Sequence, residues 1–203
     1  MITQVQEAIT FGKRAVIVAP PGAGKTTIVP LKLLDNPNIK GQIIILEPRR
    51  LAARAAASQM AAILNERIGE TVGFKIKGLT KVGKQTRIVV MTEGILIRMI
   101  QSDPSLSEVG CIIFDEFHER SINSDLGLAL SLQLAEILRS DLRIIVMSAT
   151  LDVGPVLTCW KRKLQLYQKV ELIRSTASTY PAQVLKMLGY GKTLPNLFLM
   201  RLK

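Results

Sequence analysis

Five short apolar runs, at residues 15–18, 42–46, 87–91, 109–114 and 143–147, punctuate the first 150 residues of this 203-residue chain. Each is rich in β-branched side chains and almost free of polar interruption, the pattern of strands buried on both faces of a parallel sheet. Between the runs the period changes. Ile2, Val5 and Ile9 recur at helical spacing, residues 51–64 are alanine-rich, and Leu126, Leu130, Leu134 and Ile137 share one helical face. Strands alternating with helices predict an α/β domain with a doubly wound, mostly parallel sheet, whose ligands bind at the carboxyl ends of the strands. No internal repeat and no low-complexity segment breaks the pattern.

The chemistry is gathered at the ends of those runs. The first leads into Ala19-Pro20-Pro21-Gly22-Ala23-Gly24-Lys25-Thr26-Thr27. A phosphate cradle needs glycines so that backbone N–H groups approach phosphate oxygens, a lysine for the terminal phosphates, and a hydroxyl for Mg²⁺. Residues 21–27 are therefore the expected nucleotide-binding segment, with Ala19 standing where the strict pattern has glycine. The fourth run ends at Asp115-Glu116-Phe117-His118-Glu119-Arg120. Leaving a buried strand beside a phosphate loop, Asp115 can hold Mg²⁺ together with Thr26, and Glu116 can deprotonate an attacking water. His118, the only histidine, lies in this acidic cluster, where a switching role fits; Arg120 reads equally well as a partner of the carboxylates. Ser148 and Thr150 close the fifth run and can relay the state of the acidic cluster. Arg49 and Arg50 follow the second run, and Thr92, Glu93 and Gly94 the third. All five lie where a single strand of nucleic acid could be held by its backbone. With 4% aromatic residues and no aromatic cluster, little base specificity is expected.

Taken in order, Gly-Ala-Gly-Lys-Thr, Glu-Pro-Arg-Arg-Leu-Ala-Ala, Thr-Glu-Gly, Asp-Glu-Phe-His-Glu-Arg and Ser-Ala-Thr resemble the motifs of the DEAH-box (DExH) ATP-dependent helicases, most closely the bacterial HrpB type. The resemblance implies a P-loop RecA-like domain over residues 1–153 that binds ATP and Mg²⁺. Within it, Lys25, Asp115 and Glu116 would be catalytic. His118, Ser148 and Thr150 would couple hydrolysis to strand movement, while Arg49, Arg50, Thr92, Glu93 and Gly94 would form the nucleic-acid contact. Phe117 stands where the name-giving motif has alanine, as it does in the HrpB type. Family members carry a second RecA-like domain that supplies arginine fingers, and no Gln-x-x-Gly-Arg-x-Gly-Arg segment occurs here. The chain alone is therefore expected to hydrolyse ATP poorly. A stand-alone module that binds nucleotide and nucleic acid without turnover is the alternative reading. An unrelated P-loop kinase or transporter ATPase would need a substrate pocket or signature that is not visible.

Net charge qualifies the picture rather than supporting it. Of the formal +11, residues 1–152 contribute +3 and residues 153–203 contribute +8, with Glu171 the only acid in the latter. The excess thus sits away from every motif. Residues 154–203 read as a non-family tail, poorly ordered and frameshifted. With suitable synonymous codons, residues 158–174 can be read one nucleotide earlier as a peptide ending Gly-Arg-Thr-Tyr-Pro, which resembles what the family carries after Ser-Ala-Thr. A basic nucleic-acid-binding extension is the rival reading of the tail. Two cysteines, Cys111 and Cys159, give no disulfide framework, no stretch reaches the ~18 apolar residues of a membrane span, and residues 1–7 do not read as a signal peptide. A cytoplasmic setting is expected.

Overall fold

Each apolar run feeds two cores at once. In β2 (Gln42–Glu47), Ile43 and Ile45 face a cluster shared with α1 (Ile2–Glu7), α2 (Lys25–Leu33) and α3 (Arg50–Ile63). Ile44 and Leu46 face a second cluster, shared with α4 (Glu93–Ser102) and α5 (Ile122–Ile137). The same alternation holds in β1 (Arg14–Val18), β5 (Ile88–Thr92), β6 (Val109–Phe114) and β7 (Arg143–Ser148). Successive side chains point to opposite faces of a sheet, so a strand covered on both sides must be apolar throughout. Burying one such isoleucine contributes roughly 1.5–3 kcal/mol.

The structure, a computed structural model, describes residues 2–149 apart from 8, 11, 12 and 21, together with two strands at 170–175 and 183–184. With β3 (Val72–Ile76), β4 (Leu79–Lys81), β8 (Val170–Ser175) and β9 (Gln183–Val184), the sheet runs β4-β3-β5-β2-β6-β7-β1-β8-β9, and β9 also pairs with β1. Its centre, β5-β2-β6-β7-β1, is wholly parallel and is made of the five predicted runs. Consequently the carboxyl ends of five adjacent strands share one edge.

Four strands join those five. β3 (Val72–Ile76) pairs parallel with β5, and β4 (Leu79–Lys81) closes a hairpin onto it. Val72-Gly73-Phe74-Lys75-Ile76 carries a glycine and a lysine, so no continuous apolar run marked it. β8 (Val170–Ser175) runs parallel beside β1, and β9 (Gln183–Val184) antiparallel to both. Both belong to the segment read as a non-family tail; its boundary at 153/154 lies outside the described residues.

The buried face of α5 also differs from the predicted one. Leu126 and Ile137 are exposed, at 44% and 67%; of the predicted face Leu134 is buried, and the inward face is otherwise Gly127, Leu128, Ser131, Leu132 and Ala135. At Gly127 the helix lies against Phe114: a Cβ there would sit 3.5 Å from the ring, in ordinary contact but with little room for a longer side chain. Ser131 satisfies its hydroxyl within the helix by donating to the Gly127 carbonyl at 2.7 Å. Among the described residues no helix is long and apolar enough to cross a membrane.

Candidate active site

The turn after β1 is built for close approach to its backbone. Gly22 and Gly24 adopt φ of +79° and +73°, a left-handed conformation that side chains disfavour. A Cβ at Gly24 would also sit 3.1 Å from the Ile28 side chain. From Gly24, α2 starts at Lys25 with no side-chain cap and no acid in its first turn, leaving a helix start suited to an anion. Within the loop the Ala23 N–H donates to the Pro20 carbonyl at 3.3 Å, and both the N–H and the hydroxyl of Thr27 turn back to the Gly24 carbonyl. Pro21 lies outside the described residues.

Strand order then brings the acidic motif to this loop. The Lys25 ammonium, 3% exposed, donates to Glu116 Oε1 at 2.8 Å. Next to it, the Thr26 hydroxyl donates to Asp115 Oδ2, while Asp115 Oδ1 accepts the Glu116 N–H at 2.8 Å. Asp115 is itself anchored by its N–H on the Leu46 carbonyl of β2. Glu116 adopts φ +46°, ψ +36°, and this left-handed kink turns its carboxylate back over the loop. Backbone kinks of that kind cost energy and concentrate where function needs a particular side-chain direction.

One group in this cluster escaped the sequence reading. Glu47 ends β2 and is buried, directly beside Asp115. Burial, reinforced by the charge of Asp115 and a hydrogen bond with it, pushes the Glu47 carboxyl up to about 8. Burial likewise raises Asp115, opposed by the Thr26 hydroxyl and the Lys25 charge. Two carboxyl groups thus share a nearly dry site with one lysine, and a further positive charge there would be stabilising. The donors next to the phosphate loop, the Thr26 hydroxyl and the Asp115 carboxylate, are all oxygen, the set a small hard divalent cation takes alongside phosphate oxygens. An acid closing an apolar run was visible in the sequence; its neighbour across the sheet was not.

The acidic motif continues in a 3₁₀ turn, Phe117–Glu119. His118 Nδ1 lies 3.4 Å from the Ala149 N–H and 3.3 Å from Glu116 Oε2. The nitrogen accepts from Ala149 when bare and donates to Glu116 when protonated, never both at once. It therefore links the end of β7 to Glu116. Ser148 is buried in register with Val18, and its carbonyl accepts the Ala19 N–H at 3.0 Å; Thr150 lies outside the described residues. Glu119 pairs with Arg49 at 3.0 Å. Arg120 bonds Asp125 at 2.8 Å and covers the Phe117 ring at 5.5 Å, so its partner is Asp125 rather than the Asp115–Glu116 pair. Phe117 is buried edge-on to Phe114, with centroids 6.2 Å apart.

The expected nucleic-acid contacts occupy the same edge in two strand ends. Arg49 and Arg50 open α3, which has no acid in its first turn and no side-chain cap. Thr92 and Glu93 open α4 at the end of the adjacent β5, with Gly94 in its first turn and nothing within 4 Å of where its Cβ would be. Glu93 differs from its neighbours: its carboxylate accepts the hydroxyl of Ser121, the residue that caps α5 through the Ser124 N–H.

Known proteins are similar to this chain over most of its length. A family model for the DEAD/DEAH box helicases matches residues 3–157. The chain is 51% identical over 183 residues to the ATP-dependent RNA helicase HrpB of Escherichia coli K12, covering 90% of this chain and 22% of that protein. It is 36% identical to the ATP-dependent RNA helicase HrpA of the same organism, over 89% of this chain and 13% of the relative. A crystal structure of the Escherichia coli DEAH/RHA helicase HrpB superimposes with a TM-score of 0.76 at 48% identity, over 79% of this chain and 21% of that one. The chain thus spans about a fifth or less of the length of these relatives. With that family model matching residues 3–157, this chain belongs to the DEAD/DEAH box helicases, a family whose relatives named above are ATP-dependent.

Proposed function

We propose that this chain is the ATP-binding domain of an RNA helicase, hydrolysing ATP at the carboxyl edge of the sheet and moving a single strand along the same edge. The observation that carries the reading is the convergence of Lys25, Thr26, Asp115 and Glu116 from two distant segments onto one loop. RNA rather than DNA is favoured by the names of the HrpB and HrpA relatives.

In this reading the backbone of residues 21–27 cradles the phosphates, and Lys25 exchanges its Glu116 partner for phosphate oxygens. Thr26 and Asp115 would hold Mg²⁺, which supplies charge neutralisation between the phosphates. Glu116, released from Lys25, orients the attacking water and takes its proton. His118 then has Ala149 and Glu116 as alternative partners, coupling the base to the end of β7. Arg49, Arg50, Thr92 and Gly94 present donors to the backbone of the nucleic acid, and the uncapped start of α3 favours an anion there.

Turnover is expected to need a second RecA-like domain. Near the site, Arg49 and Arg120 are engaged by Glu119 and Asp125. An arginine contributed from outside is worth ~10³–10⁵ in rate. The test is nucleotide binding and strand-stimulated ATPase of the chain with Lys25→Ala as control. Binding of a fluorescent ATP analogue that Lys25→Ala abolishes, with slow turnover, is the expected result. Binding that Lys25→Ala leaves unchanged would refute the reading.

A further inference from the structure

The pair formed by Arg49 and Glu119 joins the start of α3 to the turn that follows the acidic motif, at 3.0 Å with 72% and 33% of the two side chains exposed. An exposed pair of this kind contributes little to stability, so its interest lies in what it connects. α3 opens on two arginines and supplies no acid to its own first turn. Glu119 provides the negative charge that the positive helix start lacks. A backbone phosphate would bring the same charge to the same guanidinium, and two anions crowded on one arginine repel.

Glu119 is also tied to the nucleotide site. Its N–H donates to the Glu116 carbonyl at 2.9 Å, within a turn bounded by left-handed residues at Glu116 and Arg120. The carboxylate that holds Arg49 and the one that holds Lys25 are therefore carried by a single short turn.

We propose that Glu119 is a built-in competitor for Arg49, a positioning residue that holds the guanidinium until a backbone phosphate displaces it. The proposal rests on the reading of Arg49 as a nucleic-acid contact.

The experiment is fluorescence anisotropy of a labelled single-stranded RNA oligomer against the full chain, with Glu119→Gln, Glu119→Asp, Arg49→Ala and the Arg49→Ala/Glu119→Gln double variant. Removing the competitor should tighten RNA binding by about two- to fivefold, the scale of an exposed ion pair. Glu119→Asp should stay near wild type, and the double variant should bind as Arg49→Ala does. Affinity for a fluorescent ADP analogue without RNA and the thermal midpoint should be unchanged, which a merely structural role for Glu119 would not allow. If Arg49→Ala weakens binding but Glu119→Gln does not tighten it, or tightens it equally without Arg49, the competitor role is wrong and the contact stands. If Arg49→Ala binds RNA like the wild type, the contact itself is wrong and the proposal falls with it.

Discussion

Lys25 and Glu116 meet at 2.8 Å although 91 residues separate them. The lysine is almost fully buried and the carboxylate a quarter exposed, so the glutamate occupies the cation that nucleotide phosphates require. Under the proposed function, phosphate binding at Lys25 would therefore also release Glu116 as the base.

Glu116→Gln keeps an acceptor for Lys25 but removes the base. It should bind a fluorescent ATP analogue at least as tightly as wild type while losing ~10²–10⁴-fold of whatever hydrolysis the protein, or its assembly with a second RecA-like domain, supports. Glu116→Ala instead leaves a buried ammonium without its partner and should lower the urea midpoint. Equal loss of binding in both variants would contradict the exchange of partners.

Glu47 makes stability fall as pH rises. Its carboxyl goes from an ordinary value of 4.5 to about 8 on folding, so between those limits the native state holds a proton that the unfolded chain has released. Stability from this group is present at low pH and lost through that window. Urea midpoints measured in EDTA from pH 5 to 9 should decline in wild type. Glu47→Gln should flatten the decline and be the more stable protein at the alkaline end. Parallel profiles would show that Glu47 does not carry the effect.

Two glycines should respond oppositely to alanine. At Gly127 a Cβ meets the Phe114 ring at 3.5 Å and Leu96 at 3.7 Å, ordinary contact inside a helix. Gly127→Ala should stabilise by about 0.5–1 kcal/mol, whereas Gly127→Leu overpacks the same space and should cost about 1–3 kcal/mol. At Gly110 a Cβ would fall 2.1 Å from the Lys40 carbonyl oxygen, which is backbone and cannot move cheaply. Gly110→Ala should destabilise strongly, and a neutral result in chemical denaturation would mean that the start of β6 is looser than described.

Cys111 is wholly buried in β6, and burial pushes its thiol up to about 12. In a Cys159→Ser background it should resist a thiol-specific chromogenic reagent at pH 8 until denaturant unfolds the sheet. Rapid labelling under native conditions would place the thiol at the surface.

What the sequence determined by itself was local. A run such as residues 109–114, buried on both faces, has to be apolar throughout, and Asp115-Glu116 had to follow it at a strand end. The glycines of the phosphate loop and the helix start at Lys25 were legible for the same reason, because backbone conformation is set by the residues that adopt it. Which strand ends meet is a different matter. The order β5-β2-β6-β7-β1 sets Glu47 against Asp115, brings Glu116 to Lys25, and lays Glu119 on Arg49. None of these pairs shares a sequence period, and the charge state of Glu47 depends on burial that only packing creates. The strand at 72–76 stayed hidden because Gly73 and Lys75 break its apolar pattern, and the inward face of α5 was decided by packing, with Gly127 set against the Phe114 ring. Chemistry of single motifs is written along the chain; their mutual distances, including the contact of Lys25 with Glu116, arise only when the sheet sets distant strand ends side by side.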